Sequence, residues 1–141
     1  MIKLDPGNCI RVVNNGDDLW TAIERYMFDS KYGYTIVIEV GEESDGASVP
    51  RILWAEIPPF GLHFNAAFVH DHLYREPDPA KKLPKEICDK IFLEIMERDG
   101  VPLARRLAMY DAVVTMGYTS YTHGKVAAAA LLAAEDERSI A

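Results

Sequence analysis

The chain has 141 residues, 49% of them apolar, a net charge of −7 and a pI of about 5.0. That length suits a single domain over residues 1–141 with a core of its own, and the apolar fraction excludes a disordered chain. The acidic balance disfavours nucleic acid, whose phosphates it repels, and strong binding to anionic membrane surfaces.

The opening residues, Met1-Ile2-Lys3-Leu4, lack the order of a Sec leader, and Asp5-Pro6-Gly7-Asn8 reads as a turn. Residues 9–13 read as a short strand and residues 14–18 as a second turn. Residues 19–28 fit two periods. Trp20, Ile23 and Met27 suit a helix, whereas Trp20, Ala22, Tyr26 and Phe28 suit an alternating strand, which is the favoured reading. Residues 34–40, Tyr-Thr-Ile-Val-Ile-Glu-Val, form a β-branched strand, with Ser30-Lys31-Tyr32-Gly33 as the hairpin loop before it. Residues 41–51 are a loop by composition, carrying Asp45-Gly46, Ser48 and Arg51. Asp45 and Ser48 have two readings of equal weight: contacts to a metal or substrate, or an Asx-type turn with a capping serine. Arg51 suits a substrate anion or, better, an ion pair with Asp45. As a nucleophile Ser48 is weak, because Gly46-Ala47-Ser48-Val49-Pro50 lacks the second glycine of a nucleophile elbow.

Residues 65–75, Asn-Ala-Ala-Phe-Val-His-Asp-His-Leu-Tyr-Arg, form the central helix. Ala66, Ala67, His70, Leu73 and Tyr74 share its inward face, so an imidazole sits in an apolar stripe and must find a partner. His72 points away from His70, towards solvent. Two prolines in Glu76-Pro77-Asp78-Pro79 end the helix. Pro84 opens the next one, whose Ile87, Cys88, Ile91, Phe92, Ile95 and Met96 form a broad apolar stripe, with Asp89 on its flank. Gly100 closes it and Pro102 opens a third helix, expected to pack through Leu103, Leu107, Tyr110, Val113 and Val114 and to break or kink at Gly117 and Gly124. The alanine-rich residues 126–134 favour a helix that can pack on a neighbouring subunit, so a homo-oligomer is expected. That run is too short to span a bilayer, and no transmembrane segment is expected. The expected architecture is α+β. An antiparallel hairpin or small sheet and the Asp-Gly loop occupy residues 1–50, and three to four helices occupy residues 60–136. Cys9 and Cys88 make neither a zinc ladder nor a disulfide framework, and Cys88 reads as a packed thiol made in a reducing compartment.

The partner expected for His70 is Asp89, reaching across the seam between the second helix and the first. A carboxylate on one imidazole nitrogen fixes the tautomer and leaves the other to take a proton from water. Tyr74, one turn after His70, can donate to the same carboxylate. Asp71 suits either a hard cation such as Ca2+ or an i,i+4 salt bridge with Arg75. A zinc pair of His63 and His70 lacks a third ligand at standard spacing, so zinc is the lesser expectation, and no organic cofactor is expected.

The motif His70-Asp71-x-x-Tyr74, followed by Ile87-Cys88-Asp89-Lys90-Ile91-Phe92 on a partner helix, resembles the active site of phospholipases A2 over residues 60–97. The resemblance implies His70 as general base, Asp71 as calcium ligand, Asp89 as orienting carboxylate and Tyr74 as its support. The glycine-rich calcium loop and the disulfides of the secreted enzymes have no counterpart here.

A longer series resembles the DUF1353 family over residues 34–118. It runs through Asp45-Gly46-Ala47-Ser48-Val49-Pro50-Arg51, Trp54, Pro58, Pro59, Gly61, Ala66-Ala67, His70-Asp71-x-Leu73-Tyr74, Asp89-x-x-Phe92, Met96, Gly100-Val101 and Met109-Tyr110. That resemblance implies a protein of tailed phages and prophages with no settled activity. It would be made in the host cytoplasm and retained there or built into the virion. Together the two resemblances imply a metal-assisted hydrolase acting on a lipid or other ester with water activated by His70. The alternative is a non-catalytic virion, tail or assembly component, partnered by phage structural proteins, in which the same cluster is structural.

Overall fold

The computed structural model describes residues 9–16, 19–44, 62–117 and 121. Among the described residues five short strands precede three helices: β1 (Val12–Asn14), β2 (Trp20–Ala22), β3 (Tyr26–Asp29), β4 (Thr35–Ile38), β5 (Glu43–Ser44), α1 (Phe64–Tyr74), α2 (Lys85–Arg98) and α3 (Leu103–Met116). The architecture is α+β. The strands form two small antiparallel sheets, one in the order β1-β2-β5 and one pairing β3 with β4.

The β-branched run of β4 lies opposite β3, with Tyr26 facing Ile38 and Phe28 facing Ile36. Their loop closes through Ser30 N–H to Tyr34 O at 2.8 Å, and Gly33 takes φ +90°, where a side chain would be strained. The stretch 19–28, read as one strand, is two. β2 pairs with β1 and β5, and β3 starts a second sheet after the exposed Glu24 and Arg25. The break lies where pairing changes partner. Ile23 N–H reaches Arg11 O at 2.9 Å, and Gly41 N–H reaches Ala22 O at 2.8 Å. The stretch 41–51, read as a loop, begins with a strand, because Glu43 and Ser44 cover the free edge of β2. Asp45, Ser48, Arg51, Trp54 and the alanine-rich residues 126–134 lie outside the described residues.

α1 runs through the centre. Phe64, Ala66, Ala67, Phe68, Val69, Leu73 and Tyr74 are buried, so the helix is enclosed nearly all round. Burying its polar residues requires partners. Asn65 Oδ1 accepts from Ile10 N–H at 2.9 Å, and its amide donates to Asp99 at 3.2 Å. Asp99 also accepts from Arg98 Nε at 2.8 Å, and Arg98 reaches the Tyr26 hydroxyl at 2.8 Å, tying the strands to the helices. Cys88 is fully buried, and burial, then the nearby Asp89 charge, pushes its thiol up to about 12, so it is a packed thiol.

α2 buries the expected stripe of Cys88, Ile91, Phe92, Ile95 and Met96. α3 packs only in part through the residues expected of it, since Val113 is buried and Tyr110 lies against the core. It docks through Met109, Ala112 and Val113, while Leu103, Leu107 and Val114 stay exposed. Both sides of this helix carry apolar residues, and only one can face the core. α3 ends at Gly117, where a break or kink is expected from the sequence, and Gly124 lies outside the described residues. Among the described residues no helix is long and apolar enough to cross a membrane.

Candidate functional site

Two i,i+4 pairs face each other between α1 and α2. His70 and Tyr74 stand one turn apart on α1, and Lys85 and Asp89 one turn apart on α2. His70 Nε2 lies 2.8 Å from Asp89 Oδ1, with both residues 2% exposed. The Tyr74 hydroxyl donates to the same oxygen at 2.5 Å. Lys85 Nζ donates to the other oxygen, Oδ2, at 2.6 Å. Phe92 and Tyr74 wall the imidazole, with ring centroids 4.7 and 4.0 Å from its own.

Lys85 brings in the third helix. Its ammonium also donates to Val113 O at 2.8 Å and Val114 O at 3.3 Å. Those carbonyls lie in the last turn of α3, where the helix dipole is negative, and Val113 O accepts both from Lys85 and from Gly117 N–H at 2.9 Å. One lysine therefore ties α3 to the carboxylate that holds His70. Sequence reasoning missed Lys85, although its i,i+4 spacing to Asp89 was a usable signal.

The protonation states follow from this arrangement. Burial opposes a charge on Asp89, but donation from His70, Lys85 and Tyr74 outweighs it and holds the carboxyl below its usual range. The net charge is thus met by Lys85. Burial pushes His70 below its usual value, and Lys85 adds to that, against the pull of Asp89. The imidazole is neutral. A carboxylate can only accept, so Nε2 carries the proton and the lone pair is on Nδ1. Burial, then the bond to Asp89, pushes the Tyr74 hydroxyl far above its usual value, so it is a permanent donor.

Both shifts destabilise the fold in acid. His70 has a folded value below its unfolded one, so its contribution is complete above about pH 6.5 and is lost as pH falls from there to the folded value. The contribution of Asp89 is complete above about pH 3.9 and is lost as pH falls through its own lower folded value. Urea denaturation at stepped pH is expected to show stability falling below about pH 6.5, with that upper step absent in His70→Asn. A profile identical in both proteins would contradict the assignment.

The end of α3 touches the same cluster. A Cβ on Gly117 would stand 2.2 Å from Val113 O and 2.8 Å from the Tyr74 hydroxyl. Gly117→Ala is expected to cost about 1–3 kcal/mol, because backbone and a bonded hydroxyl must both shift. A melting temperature equal to the parent's would contradict that close approach.

The remaining expected site residues are placed differently. Asp71 takes the salt-bridge alternative, with Arg75 Nε 3.1 Å from its Oδ1. Arg75 also reaches Glu43 O at 3.3 Å, towards β5. Asp45, Ser48 and Arg51 fall outside the described residues, so their relation to Asp71 or His70 is not described. Among the described residues no three His, Cys, Asp or Glu side chains gather as a metal site, and His63 is buried. His72 is not turned out to solvent. It is half-buried, its Nδ1 2.5 Å from Glu42 Oε1, beside a cleft of about 360 Å3 edged by Glu43, Arg75 and Glu76. Neither His70 nor Asp89 lines that cleft.

A family model described as a protein of unknown function, DUF1353, matches residues 20–113, from β2 to the last turn of α3. No curated protein and no solved structure matches the chain.

Proposed function

The chain belongs to DUF1353, a family of proteins of unknown function, and we propose that it is a small hydrolase in which His70 takes the proton from a water that attacks an ester. One observation carries the reading: a neutral imidazole held through Nε2 by a buried carboxylate, 2.8 Å away, with its lone pair on Nδ1. Asp89 orients the ring and stabilises the imidazolium formed when the proton arrives, and Tyr74 and Lys85 hold Asp89. A lipid or other ester is the proposed substrate, on the phospholipase-like motif of His70, Asp71, Tyr74 and Asp89.

Calcium would have to displace Arg75 from Asp71 and recruit donors such as Asp45 from residues outside those described. Among the described residues Asp71 is paired with Arg75, and no three His, Cys, Asp or Glu side chains gather around it. Bacteriophage origin, with the chain in the host cytoplasm or the virion, is proposed from the sequence resemblance alone.

The depth of His70 favours a second reading. At 2% exposure, with Asp89 neutralised by Lys85, the cluster serves equally as a pin joining three helices in a non-catalytic structural component. The test is hydrolysis of phospholipid in mixed micelles and of a soluble aryl ester, each with Ca2+ and with EDTA. Turnover lost in His70→Asn supports the hydrolase, and loss in EDTA would restore the calcium expectation. No turnover above background under either condition, or equal turnover by His70→Asn, overturns the hydrolase.

A further inference from the structure

The face of α3 turned from the core has the spacing of a helix seam. Leu103, Leu107, Tyr110 and Val114 follow one another at intervals of four, three and four residues, the a/d pattern of a coiled coil. Leu103 is 60% exposed, Leu107 48% and Val114 36%, with Tyr110 half-buried at the margin. The buried Met109, Ala112 and Val113 centre on another side of the helix and Tyr110 packs at the core margin, so Leu103, Leu107 and Val114 are additional to the core contact. Exposed Ala104 and Ala108 beside it would let a second backbone approach closely.

The flanking charges say what fits. On a helical wheel Arg106 lies about 70° to one side of the stripe and Asp111 about 70° to the other. In heptad terms they occupy g and the following e. Two parallel copies of α3 would set Arg106 of each against the partner's Asp111, twice over about a two-fold axis. An antiparallel pair would set arginine beside arginine and aspartate beside aspartate. We propose that the Leu103–Leu107–Tyr110–Val114 face of α3 is the interface of a parallel, two-fold homodimer of this chain, with Arg106 and Asp111 selecting its direction.

Sedimentation of the full chain from low micromolar to near-millimolar concentration tests it. The expected result is a reversible dimer that Leu107→Glu abolishes, with the helical signal and melting temperature of the dilute protein unchanged. Asp111→Arg is expected to weaken the dimer about tenfold, and adding Arg106→Asp to restore it. Oxidised Leu103→Cys is expected to give a covalent dimer through the two introduced thiols, which a parallel seam brings together. A wild-type chain that stays monomeric overturns the proposal, as does a folded Leu107→Glu protein that still dimerises. A charge swap that fails to restore affinity also overturns it. So does a Leu107→Glu monomer with a sharply lowered melting temperature, since the chain itself would then cover the face.

Discussion

Asp89→Leu is expected to cost the fold about 3–5 kcal/mol. The leucine removes the carboxylate that accepts from the Lys85 ammonium at 2.6 Å, where that residue is 9% exposed. It also strips the acceptor from His70 Nε2 and from the Tyr74 hydroxyl, in surroundings that admit little water. The loss comes mostly from what is left behind rather than from the net strength of the ion pair. The double change Asp89→Leu with Lys85→Met is therefore expected to be more stable than Asp89→Leu alone, by about 1–3 kcal/mol. Urea denaturation of the four proteins of this cycle measures it. A single Asp89→Leu within about 1 kcal/mol of the parent, or a double variant worse than the sum of its parts, would contradict the cluster's electrostatics.

His70→Asn is expected to lower ester hydrolysis by about 10²–10⁴-fold, the range over which a positioned general base contributes. Asparagine can still donate an amide N–H towards Asp89, so the helix seam keeps a polar partner, but it has no lone pair basic enough to take a proton. The fall should lie in kcat rather than KM, since the proton moves only in the transition state. Steady-state kinetics of parent and variant, with melting temperatures alongside, separate the two readings of the cluster. A large loss of turnover with a small loss of stability fits the base. Loss of stability with no turnover in either protein fits the pin.

The parts legible in the sequence were those set by spacing within one helix. α1 announced itself by its inward face and by the prolines after it, and Tyr74 followed from the i,i+4 rule. The match of His70 with Asp89 needed one further step: two apolar stripes joined by a short connection must face each other, and a polar residue in each must find the other. Lys85 was legible only as an i,i+4 partner of Asp89, and its burial was not, because a lysine at a helix start reads as solvated. Only the docking of α3 supplies the Val113 and Val114 carbonyls that justify burying it. The docked face of α3 was hidden for a related reason. The helix carries apolar residues on two sides, and periodicity does not say which side meets the core. β5 is two residues long in a stretch rich in Gly, Ser and Asp, and it exists because the edge of β2 needs covering.

The hydrolase reading requires a neutral His70 with its proton on Nε2 and its lone pair on Nδ1. Nitrogen NMR of the imidazole, assigned by loss of its signals in His70→Asn and followed from pH 8 to about pH 5, tests it most directly. The expected result is an Nε2–H tautomer that persists well below the ordinary histidine midpoint. A doubly protonated ring at neutral pH, or a proton on Nδ1 instead, would contradict the account.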